Sequence, residues 1–118
     1  MAARAPAWVP RSFFDHPDEF GLVDGAKHRL PVDLAEAGQL IASVAQHRAA
    51  LVIRSHRHGG LKVRELASRL GSSEDYLSGQ LTGRYPAGLD DIARWAVAVG
   101  DSSVLPVFDD LNDLLPPQ

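Results

Sequence analysis

Apolar residues recur at spacings of three and four from Leu34 onward: Leu34, Ala37, Leu40, Ile41, Val44, Ala45, Leu51 and Val52. That period is one face of a helix. It predicts a long helix from about Leu34 to His56, opened by Asp33 with Glu36 three residues on, an acidic form of the capping box. Gly59-Gly60 stops it. Val63, Leu66, Ala67 and Leu70 repeat at helical spacing next, and Gly71 is placed as a C-cap. Ser72 or Ser73 caps a following helix, with Glu74 and Asp75 in its first turn and Leu77 and Leu81 on one face. After the loop Arg84-Tyr85-Pro86-Ala87-Gly88, the positions Leu89, Ile92, Ala93, Ala96, Val97 and Val99 predict a helix from about Leu89 to Val99. Gly100 ends it.

The two ends of the chain follow other patterns. Phe13, Phe14, Phe20, Leu22 and Val23 are apolar enough to pack. Asp24-Gly25 is a turn signal that could join two short strands, Phe20–Val23 and Ala26–Leu30; an irregular arm lying on the helices is the alternative. Trp8, among Pro and Ala, would anchor the arm to the body or to a partner. At the other end, Ser102 or Ser103 would cap a last short helix. Its stripe would be Val104, Phe108, Leu111 and Leu115, opposite Asp109, Asp110 and Asp113, and Pro116-Pro117 would end it. The resulting expectation is all-α: a compact bundle of four to five helices over residues 33–118, preceded by a partly disordered, irregular or short-hairpin arm over residues 1–32.

Composition narrows the function. With 118 residues and 45% hydrophobic content, one domain with a real core is expected. The absence of cysteine excludes disulfides and zinc fingers and fits a reducing compartment, so a cytoplasmic location is expected. No apolar run approaches the roughly 18 residues needed to span a bilayer, and the first ten residues lack the apolar core of a signal peptide. Membrane association is not expected. His56 and His58 are two apart and point in different directions, with no acidic partner at ligand spacing, so neither metal nor cofactor is expected. Asp109, Asp110 and Asp113 lack the glycine and terminal glutamate of a calcium loop. No glycine-rich phosphate loop occurs, and nothing suggests an enzyme.

Net charge is −3, but its distribution is uneven. Residues 48–69 carry Arg48, Arg54, Arg57, Lys62, Arg64 and Arg69 against Glu65 alone. The flanking segments are acidic. A basic stretch at the end of one helix and through the next is a candidate phosphate-facing patch.

Over about residues 49–100 the chain resembles the Cro/cI-like (lambda-repressor-like, XRE-type) helix-turn-helix family. The residues that carry the resemblance are Leu61, Glu65-Leu66-Ala67, Leu70-Gly71, Leu77, Gly83-Arg84 and Pro86, then Leu89, Ile92, Ala96 and Gly100. The resemblance implies a DNA-binding transcriptional regulator whose helix three enters the major groove, acting as a homodimer on double-stranded DNA. It places Ser73, Glu74, Asp75 and Gly79 as base-facing candidates. Arg57, Lys62, Arg64 and Arg84 become phosphate-facing candidates, with the backbone amide of Val63 and the His58 side chain beside them. The chain departs from the family pattern: the base-facing set holds no Arg, Lys, Asn or Gln, the usual bidentate readers of bases, and Leu81 stands where many members carry a glutamate. Gln80 is either an exposed reader or a half-buried residue. The acidic start of helix three supports an alternative, a protein-protein interaction adaptor on the same fold.

Overall fold

The computed structural model describes residues 8–111. Its axis is a 25-residue helix, α1, Leu34–His58, about 37 Å long at 1.5 Å per residue. Asp33 caps it, its side chain accepting the Glu36 N–H at 2.8 Å. The helix is buried along most of its middle, where Leu40, Val44, Ala49, Ala50 and Ile53 face inward. Three shorter helices complete the bundle: α2, Val63–Leu70; α3, Glu74–Leu81; and α4, Leu89–Val99, of which α3 and α4 pack on α1 and α2 packs on α3 and α4. Gly71, Ser72 and Ser73 join α2 to α3, with Gly71 left-handed at φ 67° and Ser73 capping α3 through the Tyr76 N–H. The architecture is all-α, with no strand among the described residues. None of the described helices is long and apolar enough to cross a membrane.

One core joins these elements. Leu66 of α2, Leu77 of α3 and Ile92 and Trp95 of α4 join the buried residues of α1 in it, each 2% exposed or less. A fully buried leucine of this kind contributes about 1.5–3 kcal/mol. The helix ends are tied by long side chains. Arg94 donates to the Leu70 carbonyl at the end of α2, and Arg69 donates to the Ala98 carbonyl in the last turn of α4. Cations are favoured at such ends, where carbonyls lack helical partners.

The N-terminal segment is irregular and lies on the helices. It contains two 3-10 turns, Pro10–Phe13 and Pro17–Glu19. Its aromatics Phe13, Phe14 and Phe20 belong to the same core as the helices. Trp8 packs edge-on to Phe13 and lines an apolar depression with Ala45, Leu89 and Ile92, so it anchors the arm to the body. The hairpin around Asp24-Gly25 does not form. Gly21 has φ 71°, which breaks any strand through Phe20–Val23. The segment has one antiparallel bridge, Phe14 to His28, in which Asp15 N–H donates to Lys27 and Arg29 N–H donates to Phe13.

Gly21 is also a point of close approach. A Cβ there would lie 2.5 Å from the Leu81 carbonyl oxygen and 3.1 Å from the Ala50 Cβ. The arm thus seats directly against the end of α3. Arg11 N–H donates to the Gly83 carbonyl at 3.0 Å, and Phe20 lies against Gly83.

The expected last helix differs too. A 3-10 turn, Ser102–Val104, is capped by Asp101, whose carboxylate accepts the Ser103 N–H at 2.9 Å, so neither serine is the cap. Leu105 is extended at φ −69°, ψ 139°, ahead of Pro106. Proline biases its predecessor away from the helical region and has no N–H to donate, so the apolar stripe from Val104 to Phe108 is not helical. Asp113, Leu115, Pro116 and Pro117 lie outside the described residues.

Candidate nucleic-acid interface

The end of α1, the start of α2 and one flank of α3 enclose an open groove of about 650 Å³. Four of the six cations from residues 48–69 line it: Arg54, Arg57, Lys62 and Arg64, with His58 beside them. None of the four makes an ion pair with another described residue. The other two are used inside the fold. Arg48 grips Asp110 with both guanidinium nitrogens, at 3.1 and 2.6 Å, and Arg69 caps α4. The Arg48 pair holds the Asp110 carboxyl below the usual carboxylate range.

The start of α2 adds to the positive character of the groove. Lys62 is its N-cap residue and supplies no side-chain hydrogen bond to the first turn. The first N–H groups of α2 therefore have no capping oxygen, while Val63 and Arg64 line the groove. Free amides at a helix start carry partial positive charge and bind anions well. On the opposite wall Glu74 and Asp75 occupy the first turn of α3, where the helix dipole favours carboxylates. Four cations thus face two carboxylates across open solvent.

The structure sorts the expected site residues into two groups. Arg57, Lys62, Arg64, Glu74 and Asp75 come together in the groove. Ser73, Gly79 and Arg84 do not line it. Ser73 is engaged as the cap of α3. Gly79, expected to face bases, is buried: the ring of Tyr85 lies across it and occupies the space a side chain at position 79 would need. Arg84 is exposed, its guanidinium 5.4 Å from the Tyr85 ring centroid. Arg54 was part of the basic stretch but not among the phosphate-facing candidates, and it lies in the groove because it is three residues before Arg57 on α1.

The sequence pattern places Tyr85 only within a loop. Its N–H donates to the Gly79 carbonyl at 3.2 Å, and its carbonyl accepts from Gln46 Nε2 at 2.9 Å. Its ring stacks on Tyr76 of α3 with centroids 5.5 Å apart and planes inclined by 17°. A glycine inside an eight-residue helix costs about 1 kcal/mol relative to alanine, and here it makes room for that ring. Gln46, fully buried on α1, holds the loop. Its Nε2 also donates to the Gln80 carbonyl at 2.6 Å, and its Oε1 accepts the Ala87 N–H at 2.8 Å. Gln80 is buried as well, 3% exposed, and is not a reader. A lone glutamine on the apolar face of α1 was the available signal for this network.

Two histidines have defined roles. His56 Nε2 lies 2.8 Å from Asp101, which fixes the loop after α4 to the end of α1. Hydrogen bonds from the Ser103 hydroxyl, then from His56, lower the Asp101 carboxyl to about 2. His47 is 4% exposed between Phe14 and Phe20, and its Nδ1 accepts the Gly21 N–H at 2.8 Å. That bond requires an unprotonated Nδ1, and burial lowers the His47 pKa. Comparison of the chain with known protein families, curated proteins and solved structures gives no match.

Proposed function

We propose that this chain is a DNA-binding transcriptional regulator in which α2 and α3 act as a helix-turn-helix. The observation that carries the reading is the groove: Arg54, Arg57, Lys62 and Arg64 converge on an uncapped helix start with no ion-pair partner among the described residues. Unpaired cations beside free amides are suited to a phosphate backbone, which supplies most of the affinity in non-specific DNA binding. In this reading the cations at the end of α1 and the start of α2 track phosphates, while the exposed part of α3 enters the major groove. Paired half-sites would require two copies, and native mass measured with and without duplex tests for the homodimer.

Salt titration tests the reading. Neutralising four phosphates per copy gives a slope of about −3.6 in log K against log salt. Affinity for random duplex should then fall about 150-fold between about 50 and 200 mM salt. Replacing Lys62 and Arg64 together with glutamate should abolish binding. Undetectable duplex binding at low salt overturns the proposal.

A second reading is supported by the charge of α3 and by the surface of α4. Glu74 and Asp75 project from α3 without a cation partner among the described residues. On α4, Val97 is 83% exposed beside Leu70 and Ala93. An interaction adaptor would use these surfaces for a protein partner. Recovery of one stoichiometric protein, with no duplex binding at low salt, would decide for it.

A further inference from the structure

The base-facing candidates left α3 without a reader: Gly79 has no side chain, and the first-turn residues are carboxylates. The structure fills that vacancy from outside the helix. The Tyr85 ring lies over Gly79, in the space where a side chain of position 79 would project. It does not wave from a flexible loop. Its backbone N–H is bonded to Gly79, its carbonyl to Gln46, and its ring is stacked on Tyr76. Tyr76 is 48% exposed and Tyr85 36% exposed, so the pair is held rigidly at the surface with open ring area. The Arg84 guanidinium stands beside it.

The position of the pair on α3 bears on its use. Glu74 and Ser78 face the cationic groove. Successive residues turn by about 100° around a helix, which puts Tyr76 on the flank of α3 opposite those two. A helix lying in a major groove has a phosphate wall on each side. Here one flank of α3 meets Arg54, Arg57, Lys62 and Arg64, the other carries Tyr76, and Gly79, crossed by the Tyr85 ring with Arg84 beside it, falls between the two flanks.

We infer that the stacked Tyr76–Tyr85 pair is the base-reading surface of this protein and that it selects thymine through the C5-methyl group. This rests on the DNA-binding reading above and extends it. The thymine methyl is the one apolar group that base pairs present in the major groove. An aromatic ring fixed at the surface is matched to it, whereas acidic side chains are matched only to cytosine amines. Arg84 meets the adjoining phosphate, and the tyrosine hydroxyls remain free for phosphate oxygens. Fixing both rings before binding removes the ordering cost that a flexible reader would carry.

The test is a binding-site selection on random duplexes at low salt, followed by substitution of deoxyuridine for thymidine at each enriched position. That change removes only the methyl and leaves the protein untouched. Enrichment of thymine, with about fourfold weaker binding per critical methyl removed, supports the inference. In parallel, Tyr85→Ala and Gly79→Ala, each checked for helicity by circular dichroism, should lose the thymine preference while keeping the salt slope; Gly79→Ala displaces the ring without deleting it. Tyr85→Phe should keep the preference. Equal affinity for thymine and uracil duplexes overturns the inference but leaves the DNA-binding reading intact. Failure to bind any duplex at low salt overturns both.

Discussion

Replacing Gln46 with leucine isolates the network that holds the loop after α3. The two side chains are similar in size, so packing changes little and the polar contacts are what is lost. Gln46 makes three hydrogen bonds, to the Gln80 and Tyr85 carbonyls and from the Ala87 N–H. Without it, the Gln80 carbonyl keeps the Gly83 N–H at 3.3 Å. The Tyr85 carbonyl and the Ala87 N–H have no other partner among the described residues, and Ala87 is 5% exposed. Leaving a buried polar group unsatisfied costs about 1–3 kcal/mol. The buried Ala87 N–H and the part-buried Tyr85 carbonyl, partly offset by the gained apolar burial of leucine, give a loss of about 1–4 kcal/mol. Against a total stability of about 5–15 kcal/mol for a typical domain, that is a large fraction. Urea unfolding at neutral pH followed by circular dichroism measures the loss. Hydrogen exchange at the Ala87 amide provides a local check: protected in the native chain, fast in Gln46→Leu. A loss below about 1 kcal/mol with the Ala87 amide still protected would refute the reasoning, because the loop would then be held by something other than Gln46.

Three further outcomes are expected. Gly21→Ala should destabilise the chain by about 2–4 kcal/mol, since it adds left-handed strain and an overpacked contact with the Leu81 carbonyl; thermal melting with an intact far-ultraviolet spectrum would read it. His47 has a folded-state pKa below its ordinary value, so the unfolded chain binds the proton more readily. Its contribution is full above about pH 6.5 and declines as pH falls from there toward the folded value; His47→Gln should flatten that part of the stability profile, and an unchanged slope would refute the role. Asp101, lowered to about 2, contributes stability that is full above the ordinary carboxylate range and is lost as pH falls through about 2; Asp101→Asn should remove that acid limb in the same measurement.

The helices were legible because their signals are local. The apolar period of α1, the Gly71 stop, the Ser73 cap and the Gly100 stop are each readable within a turn or two of sequence. The long-range packing was not. The Asp24-Gly25 signal is real as a turn, since residues 20–25 do turn, but the strand pairing inferred from it fails because Gly21 is bent to meet the end of α3. The stripe from Val104 to Phe108 matched a helical period and was overruled by Pro106. In the groove, charge clustering placed Arg57, Lys62 and Arg64 together, because consecutive helix ends keep sequence neighbours close. It could not separate out Arg48 and Arg69, whose partners Asp110 and Ala98 lie far along the chain. Nor could it show that Gly79 is covered by a residue from the next loop.

The seat of the arm sets an order of events during synthesis. Phe20 lies against Gly83 and Arg11 bonds to it, so the arm's partner emerges from the ribosome only after roughly sixty further residues. At about 5–20 residues per second this is a wait of about 3–13 s. During it, Phe13, Phe14 and Phe20 have α1 as partial cover and no α3 to close against. Contacts between distant segments form late in any case, because loop closure precedes the contacts that reward it. The nascent chain therefore carries an uncovered aromatic edge on the N-terminal side of α1 until the helices are complete, and that edge is where a ribosome-bound chaperone or an aggregating neighbour would take hold.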